Sequence, residues 1–120
     1  MFEIRKDVEE QMRDEALGED RARIIAALRS DHPDLTSKWS SDQMKRIVDY
    51  AIDQSEPYGL QCERSIFVFC CAMSVYGLQF DTDPRYAYWT QDLLHDEEMD
   101  ESIKRQLIEF RIHLDTGRRV

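Results

Sequence analysis

The residues best suited to bind a metal ion lie between positions 81 and 96 of this 120-residue chain, where carboxylates surround one histidine. They are Asp81, Asp83, Asp92, His95 and Asp96. An EF-hand loop needs ligands at alternating positions, a central glycine and a final glutamate, and this stretch meets none of these requirements. His95 follows Asp92 by three residues, but no second helical pair of ligands such as HExxH accompanies it. We therefore predict capping and surface roles for these side chains, and no metal site.

Nucleophilic catalysis by cysteine is disfavoured by the positions of the thiols. Cys70 and Cys71 fall within an apolar run, and burial raises the pKa of a thiol and suppresses its reactive thiolate. His32, His95 and His113 belong to three different predicted elements, so no cysteine–histidine pair is indicated. The four glycines are scattered and form no phosphate-binding loop. We predict no catalytic residue, no cofactor and a protein that is not an enzyme.

The composition indicates a single acidic domain. Its 25 acidic and 16 basic residues give a formal charge of −9, which repels nucleic acid. The same charge attracts a basic protein partner, or serves only to keep the chain soluble. No apolar run reaches the roughly 18–20 residues that span a bilayer, and the first residues do not form a signal peptide. The three cysteines, two of them adjacent, indicate reduced thiols packed in a core. These features predict a cytoplasmic protein that binds neither nucleic acid nor membrane.

Aromatic and acidic side chains between residues 85 and 101 are the candidate partner-binding residues. Tyr86 and Tyr88 cannot both face inward beside Trp89, because positions two apart point in different directions on a helix. We expect one of them to be exposed, which predicts a partner surface around Arg85, Tyr86 and Tyr88. An acidic patch that would meet a basic partner follows them. It consists of Asp92, Asp96, Glu97, Glu98, Asp100 and Glu101.

The elements that position these residues are predicted to be helices. In the N-terminal arm, residues 1–30, two sets of apolar residues recur at helical spacing on either side of Gly18, so the arm is either one long helix or two shorter ones. The sets are Ile4, Val8, Met12 and Ala16, then Ile24, Ile25 and Leu28. Pro33 ends the arm. Ser40 and Gln43 form a capping box for the next helix, which should stop near Glu56-Pro57. Its apolar face is predicted to contain Met44, Ile47, Val48, Ala51 and Ile52.

The letters YGLQ occur at residues 58–61 and again at 76–79, on either side of an apolar run from Ile66 to Met73. We predict a helix buried on nearly all sides over about residues 62–76, although aromatic and branched residues also favour a strand. Each YGLQ is then a helix exit. Gly59 and Gly77 would take left-handed positions, and Leu60 and Leu78 would fold back onto the preceding turn.

The last third of the chain predicts two more helices. Asp83 and Pro84 should begin a short helix that runs to about Leu94, with Phe80, Tyr86 and Trp89 anchored in the core. The inner stripe of the final helix is predicted to be Ile103, Leu107, Phe110 and Leu114, with Ile108 and Ile112 beside it. Residues 115–120 should form a frayed tail. The sum is a single compact all-α domain of five to six helices.

The order of these motifs resembles a family of small helical proteins encoded beside type VI secretion effectors and their spike proteins in Gram-negative bacteria. Members of that family commonly carry Y-G-I, a polar step, Glu, an apolar helix, G-x-x-F, a proline and a tryptophan. The matching positions here are Tyr58, Gly59, Leu60, Glu63, the run from Ile66, Gly77, Phe80, Pro84 and Trp89. The resemblance covers residues 32–114. Two positions depart from the pattern: Glu56-Pro57 replaces a basic-small pair, and Cys62 replaces a Ser or Thr cap.

The resemblance implies an accessory protein that handles a secreted toxin, and it carries over no catalytic residue. The function that we expect is a non-enzymatic cytoplasmic adaptor or co-chaperone, whose protein partner is an effector or an effector adaptor before export. The alternative is an immunity protein that blocks a cognate toxin through the acidic patch. Homo-oligomerisation is left open by the sequence.

Overall fold

The computed structural model describes residues 19–120, and this part of the chain is all-helical, as predicted. It contains six α-helices, two short 3₁₀ turns and no strand. The helices are α1 (residues 19–31 within the described part), α2 (Pro33–Thr36), α3 (Ser41–Ser55), α4 (Glu63–Tyr76), α5 (Ala87–Leu94) and α6 (Glu101–Thr116). The predicted stripe Ile4, Val8, Met12 and Ala16 and the interruption at Gly18 lie outside the described residues. No helix within residues 19–120 is both long enough and apolar enough to cross a membrane.

Helix α4 is the centre of the domain, and it is a helix rather than a strand. Every residue from Ser65 to Met73 is buried, and α2, α3 and α6 all pack against it. Helix α1 adds Ile24 and Leu28 to the same core. An apolar run in the middle of the sequence thus becomes the element around which the others assemble.

The beginning of α3 follows its sequence pattern closely. The Ser40 hydroxyl accepts the backbone N–H of Gln43 at 3.2 Å, and the Gln43 side chain accepts the backbone N–H of Ser40 at 2.9 Å. This is the predicted capping box. The helix ends at Ser55 and passes into a 3₁₀ turn, Glu56–Tyr58, as the glutamate and proline there predict.

The two YGLQ segments have different structures. At the first, Gly59 is left-handed with φ 77°, and the N–H of Leu60 donates to the carbonyl of Ser55 at 3.2 Å. Leu60 is buried, so this exit is the predicted fold-back. At the second, Gly77 has φ 115° and ψ 156°, outside the left-handed helical region, and Leu78 is 48% exposed. The prediction for Leu78 is wrong because Gly77 does not take the conformation of a left-handed cap, and Phe80 enters the core in place of Leu78.

The end of the chain is docked, in contrast to the frayed tail predicted for residues 115–120. Helix α6 continues to Thr116, and Gly117 closes it in the left-handed conformation. Arg118 then forms an ion pair with Asp34 of α2, and Val120 packs against the core. The guanidinium hydrogen bond holds the pKa of Asp34 below its usual value.

Candidate protein-binding face

Helices α5 and α6 form an antiparallel helical hairpin joined by a loop of residues 95–100. Near the loop, the Lys104 ammonium donates to the carbonyl of Leu94 at 3.0 Å. At the other end, Arg111 hydrogen-bonds to the hydroxyl of Tyr88, and its guanidinium lies 4.9 Å from the centre of the Tyr88 ring. We call the outer surface of this hairpin the hairpin face. It consists of Tyr88, the exposed acidic residues between positions 92 and 100, and the exposed side of α6.

One row of apolar side chains on α6 lies on the surface of the domain. Its members are Ile103 (48% exposed), Leu107 (39%), Phe110 (58%) and Leu114 (58%), which we call the α6 stripe. The prediction that this row faces the core is wrong. The buried side of α6 contains Lys104, Ile108 and Ile112.

The rotation of α6 about its axis is explained by contacts in its first two turns. Glu101 accepts hydrogen bonds from two backbone N–H groups just before α4, and Lys104 donates to the carbonyls of Tyr58 (2.9 Å) and Leu94 (3.0 Å). An ammonium is buried at low cost only where it is hydrogen-bonded. With Glu101 and Lys104 facing inward, Ile108 and Ile112 follow on the same side, and the α6 stripe turns outward.

The aromatic prediction is confirmed in that one of the two tyrosines is exposed. Tyr88 is 66% exposed, whereas Tyr86 packs with its ring centre 5.0 Å from that of Tyr76. Arg85 forms an ion pair with Asp83 and lies over the Tyr86 ring. Tyr88 is therefore the residue of this group that extends the α6 stripe sideways onto α5.

Five of the six predicted acidic residues are exposed on α5 and the loop. They are Asp92, Asp96, Glu97, Glu98 and Asp100. Within the described part of the chain, none of the five forms an ion pair with a basic side chain. The loop end of the hairpin face is therefore rich in carboxylates that take part in no ion pair within residues 19–120.

The sixth, Glu101, has a structural role at the junction of α4 and α6. One of its carboxylate oxygens accepts the N–H of Gln61 at 2.6 Å and that of Cys62 at 2.8 Å. Partial burial alone would raise the pKa of Glu101, but the hydrogen bonds from Cys62 and Gln61 lower it below its ordinary value. Its carboxylate is therefore engaged inside the molecule rather than offered to a partner.

Two of the three cysteines are buried, and the potential metal ligands do not cluster within residues 19–120. Burial raises the pKa of Cys71 to about 12 and that of Cys70 as well. Cys62 is exposed at the start of α4, unlike the core position predicted for all three cysteines. Among residues 19–120, no three His, Cys, Asp or Glu side chains come close enough to hold a metal ion.

The sequence predicted the α6 stripe as a row of apolar residues but placed it on the buried side of the helix. Its residues are spaced 4, 3 and 4 apart, which is the spacing of a coiled-coil seam and is a signal for a helix that meets another helix.

Comparison of the chain with protein-family models, with curated proteins and with solved structures found no match.

Proposed function

We propose that this chain is a non-enzymatic protein-binding module, and that the hairpin face is its binding surface. The observation that carries this proposal is the α6 stripe, four large apolar side chains that are 39–58% exposed along three turns of one helix. Contiguous exposed apolar surface of this kind, rimmed by polar residues, marks interaction sites in soluble proteins.

The composition of the hairpin face supports the same proposal. Phe110 and Tyr88 are aromatic, and Arg111 holds the Tyr88 ring in place by a cation–π contact. Aromatic and arginine side chains dominate the energetics of protein interfaces, because they bury much surface and lose little entropy. The acidic loop beside them would accelerate association with a basic partner.

The partner that we propose is a type VI secretion effector, or its adaptor, held in the cytoplasm before export. The support is the resemblance in the Tyr58-Gly59-Leu60 and Gly77-x-x-Phe80 segments. In the structure, these segments lie on either side of the buried α4.

A second candidate function is immunity against a cognate toxin. The exposed carboxylates of residues 96–100 favour it, because such an acidic surface matches a basic catalytic cleft. An immunity protein would bind the toxin domain itself and abolish its activity, whereas an adaptor would bind another region and leave that activity intact.

Affinity co-purification of the full chain from cells of its native host tests the proposal. We would compare the unmodified chain with the double variant Leu107→Asn, Phe110→Ser and with Leu78→Asn, a control at an exposed leucine outside the hairpin face. We expect the same partner with the unmodified chain and the control, and at least a tenfold loss with the double variant. Equal recovery with all three would contradict the proposal.

Assay of the recovered partner separates the two candidate functions. If the partner is a toxin, its activity is measured with and without an excess of this chain. Retained activity supports the adaptor, and complete inhibition supports immunity.

A further inference from the structure

We propose that the element which occupies the α6 stripe is an amphipathic α-helix of the partner, with its basic residues at the end that faces the loop of residues 95–100. This inference rests on the proposed function, since it names the part of the partner that the hairpin face would bind.

The spacing of the α6 stripe argues for a helix. Ile103, Leu107, Phe110 and Leu114 are spaced 4, 3 and 4 residues apart, as successive a and d positions of a heptad pattern are. Side chains at this repeat leave holes into which the apolar residues of a second, nearly parallel or antiparallel helix fit. The row covers eleven residue steps, or about 16 Å of helix, which three turns of a partner helix would match.

The charges around the α6 stripe argue for a basic end on that helix. Asp96, Glu97, Glu98 and Asp100 are exposed in the loop that precedes Ile103, and within residues 19–120 none of them forms an ion pair with a basic side chain. At the other end, Arg111 is already paired with Asp115 and stacked on Tyr88. The acidic loop is therefore the end of the stripe at which lysine or arginine of a partner would meet complementary charge.

The same charges argue against two other occupants. A second copy would bring together two chains that each carry −9, and a parallel pair of α6 helices would place both acidic loops side by side. Residues 1–18 of the chain carry six acidic and three basic residues, so they bring no excess of positive charge to the loop. A basic amphipathic helix matches both the stripe and the loop.

Site-specific photo-crosslinking of the full chain tests this inference. Benzoylphenylalanine replaces Phe110 in one variant and Leu78 in the control, both in cells of the native host. After irradiation, the crosslinked residue of the partner is mapped by mass spectrometry. We expect a crosslink at position 110 with at least ten times the yield at position 78. It should map to a helical segment that has apolar residues at heptad spacing and lysine or arginine at one end.

Charge reversal in the loop provides the second part of the test. In the variant with benzoylphenylalanine at position 110, Glu97→Lys with Glu98→Lys should lower the crosslinking yield at least fivefold. Asp42→Lys with Asp53→Lys, at two exposed carboxylates of α3, is the matched control and should leave the yield unchanged. An equal yield in both variants would overturn the basic end of the proposed helix.

The crosslinked product separates failure of this inference from failure of the proposed function. A crosslink to a second copy, or to residues 1–18 of the same chain, overturns the inference. A crosslink to a non-helical or acidic segment of another protein also overturns it, while the proposed binding function stands. If position 110 gives no more product than position 78, the proposed function itself is contradicted.

Discussion

The carboxylate of Glu101 on α6 accepts the backbone N–H of Cys62 at 2.8 Å and so caps α4 from a neighbouring helix. Cys62 is the N-cap residue of α4, and its own side chain makes no capping hydrogen bond. In a capping box, the N–H of the N-cap residue is accepted by the side chain of the third helical residue, and here the carboxylate of Glu101 on α6 takes that role.

Replacement of Glu101 by alanine should lower the free energy of unfolding by about 1 kcal/mol, the usual net contribution of a hydrogen bond. Urea denaturation of the full chain measures it. Glu98→Ala, on the exposed loop, is the matched control and should change stability by less than about 0.5 kcal/mol. Equal stability of Glu101→Ala and Glu98→Ala would refute the capping role.

The stability that Glu101 contributes should depend on pH in a defined direction. Its pKa is lowered in the folded state, so the contribution is present above the ordinary glutamate value of 4.5 and is lost as pH falls through the lower folded-state value. The difference in unfolding free energy between the unmodified chain and Glu101→Gln should therefore shrink below about pH 4.5. A difference that is constant from pH 7 to pH 3 would show that the carboxylate is not the group responsible.

Lys104 should be a stabilising residue despite its charge. Lys104→Met leaves the carbonyls of Tyr58 and Leu94 without their donor, and each unsatisfied buried group costs about 1–3 kcal/mol. We expect a total loss of about 2–4 kcal/mol in chemical denaturation. Lys45→Met, at an exposed lysine of α3, controls for the change in charge and should be nearly neutral. If Lys104→Met lowers the free energy of unfolding no more than Lys45→Met does, the Lys104 ammonium does not lie in the core.

The outward orientation of the α6 stripe predicts unequal effects for two phenylalanines. Phe80 is fully buried, so Phe80→Ala should cost about 3–5 kcal/mol. Phe110 is 58% exposed, and Phe110→Ala should cost less than about 1 kcal/mol in the isolated protein. Thermal or urea unfolding of both variants measures the two losses side by side. Similar losses in unfolding free energy for the two variants would mean that the Phe110 side chain is buried in solution.

Most of the fold follows from local signals in the sequence. The buried run of α4, the capping box of α3 and the left-handed exit at Gly59 each depend on residues within one or two turns of one another. Such features are readable without knowledge of the tertiary contacts. The family resemblance adds nothing to them, since it concerns the same segments.

The orientation of α6 could not be predicted in this way. Both of its faces are apolar, and the row with Phe110 and two leucines is the larger of the two. The buried row begins with Lys104, whose charge argues for the surface until its two carbonyl acceptors are known. Those acceptors come from the ends of α5 and of the 3₁₀ turn, so only the assembled structure reveals them. Leu78 is a similar case, because Phe80 takes the place in the core that the pattern assigns to it.

The central claim is that the α6 stripe binds the partner, and the affinity of the reconstituted pair tests it most directly. After co-purification has identified the partner, calorimetric titration would compare the unmodified chain with Phe110→Ala and with Leu78→Ala. The account predicts that Phe110→Ala raises Kd about thirtyfold or more, the effect of removing an interface hot spot of about 2 kcal/mol, while Leu78→Ala leaves Kd unchanged. An unchanged Kd for Phe110→Ala would contradict the claim.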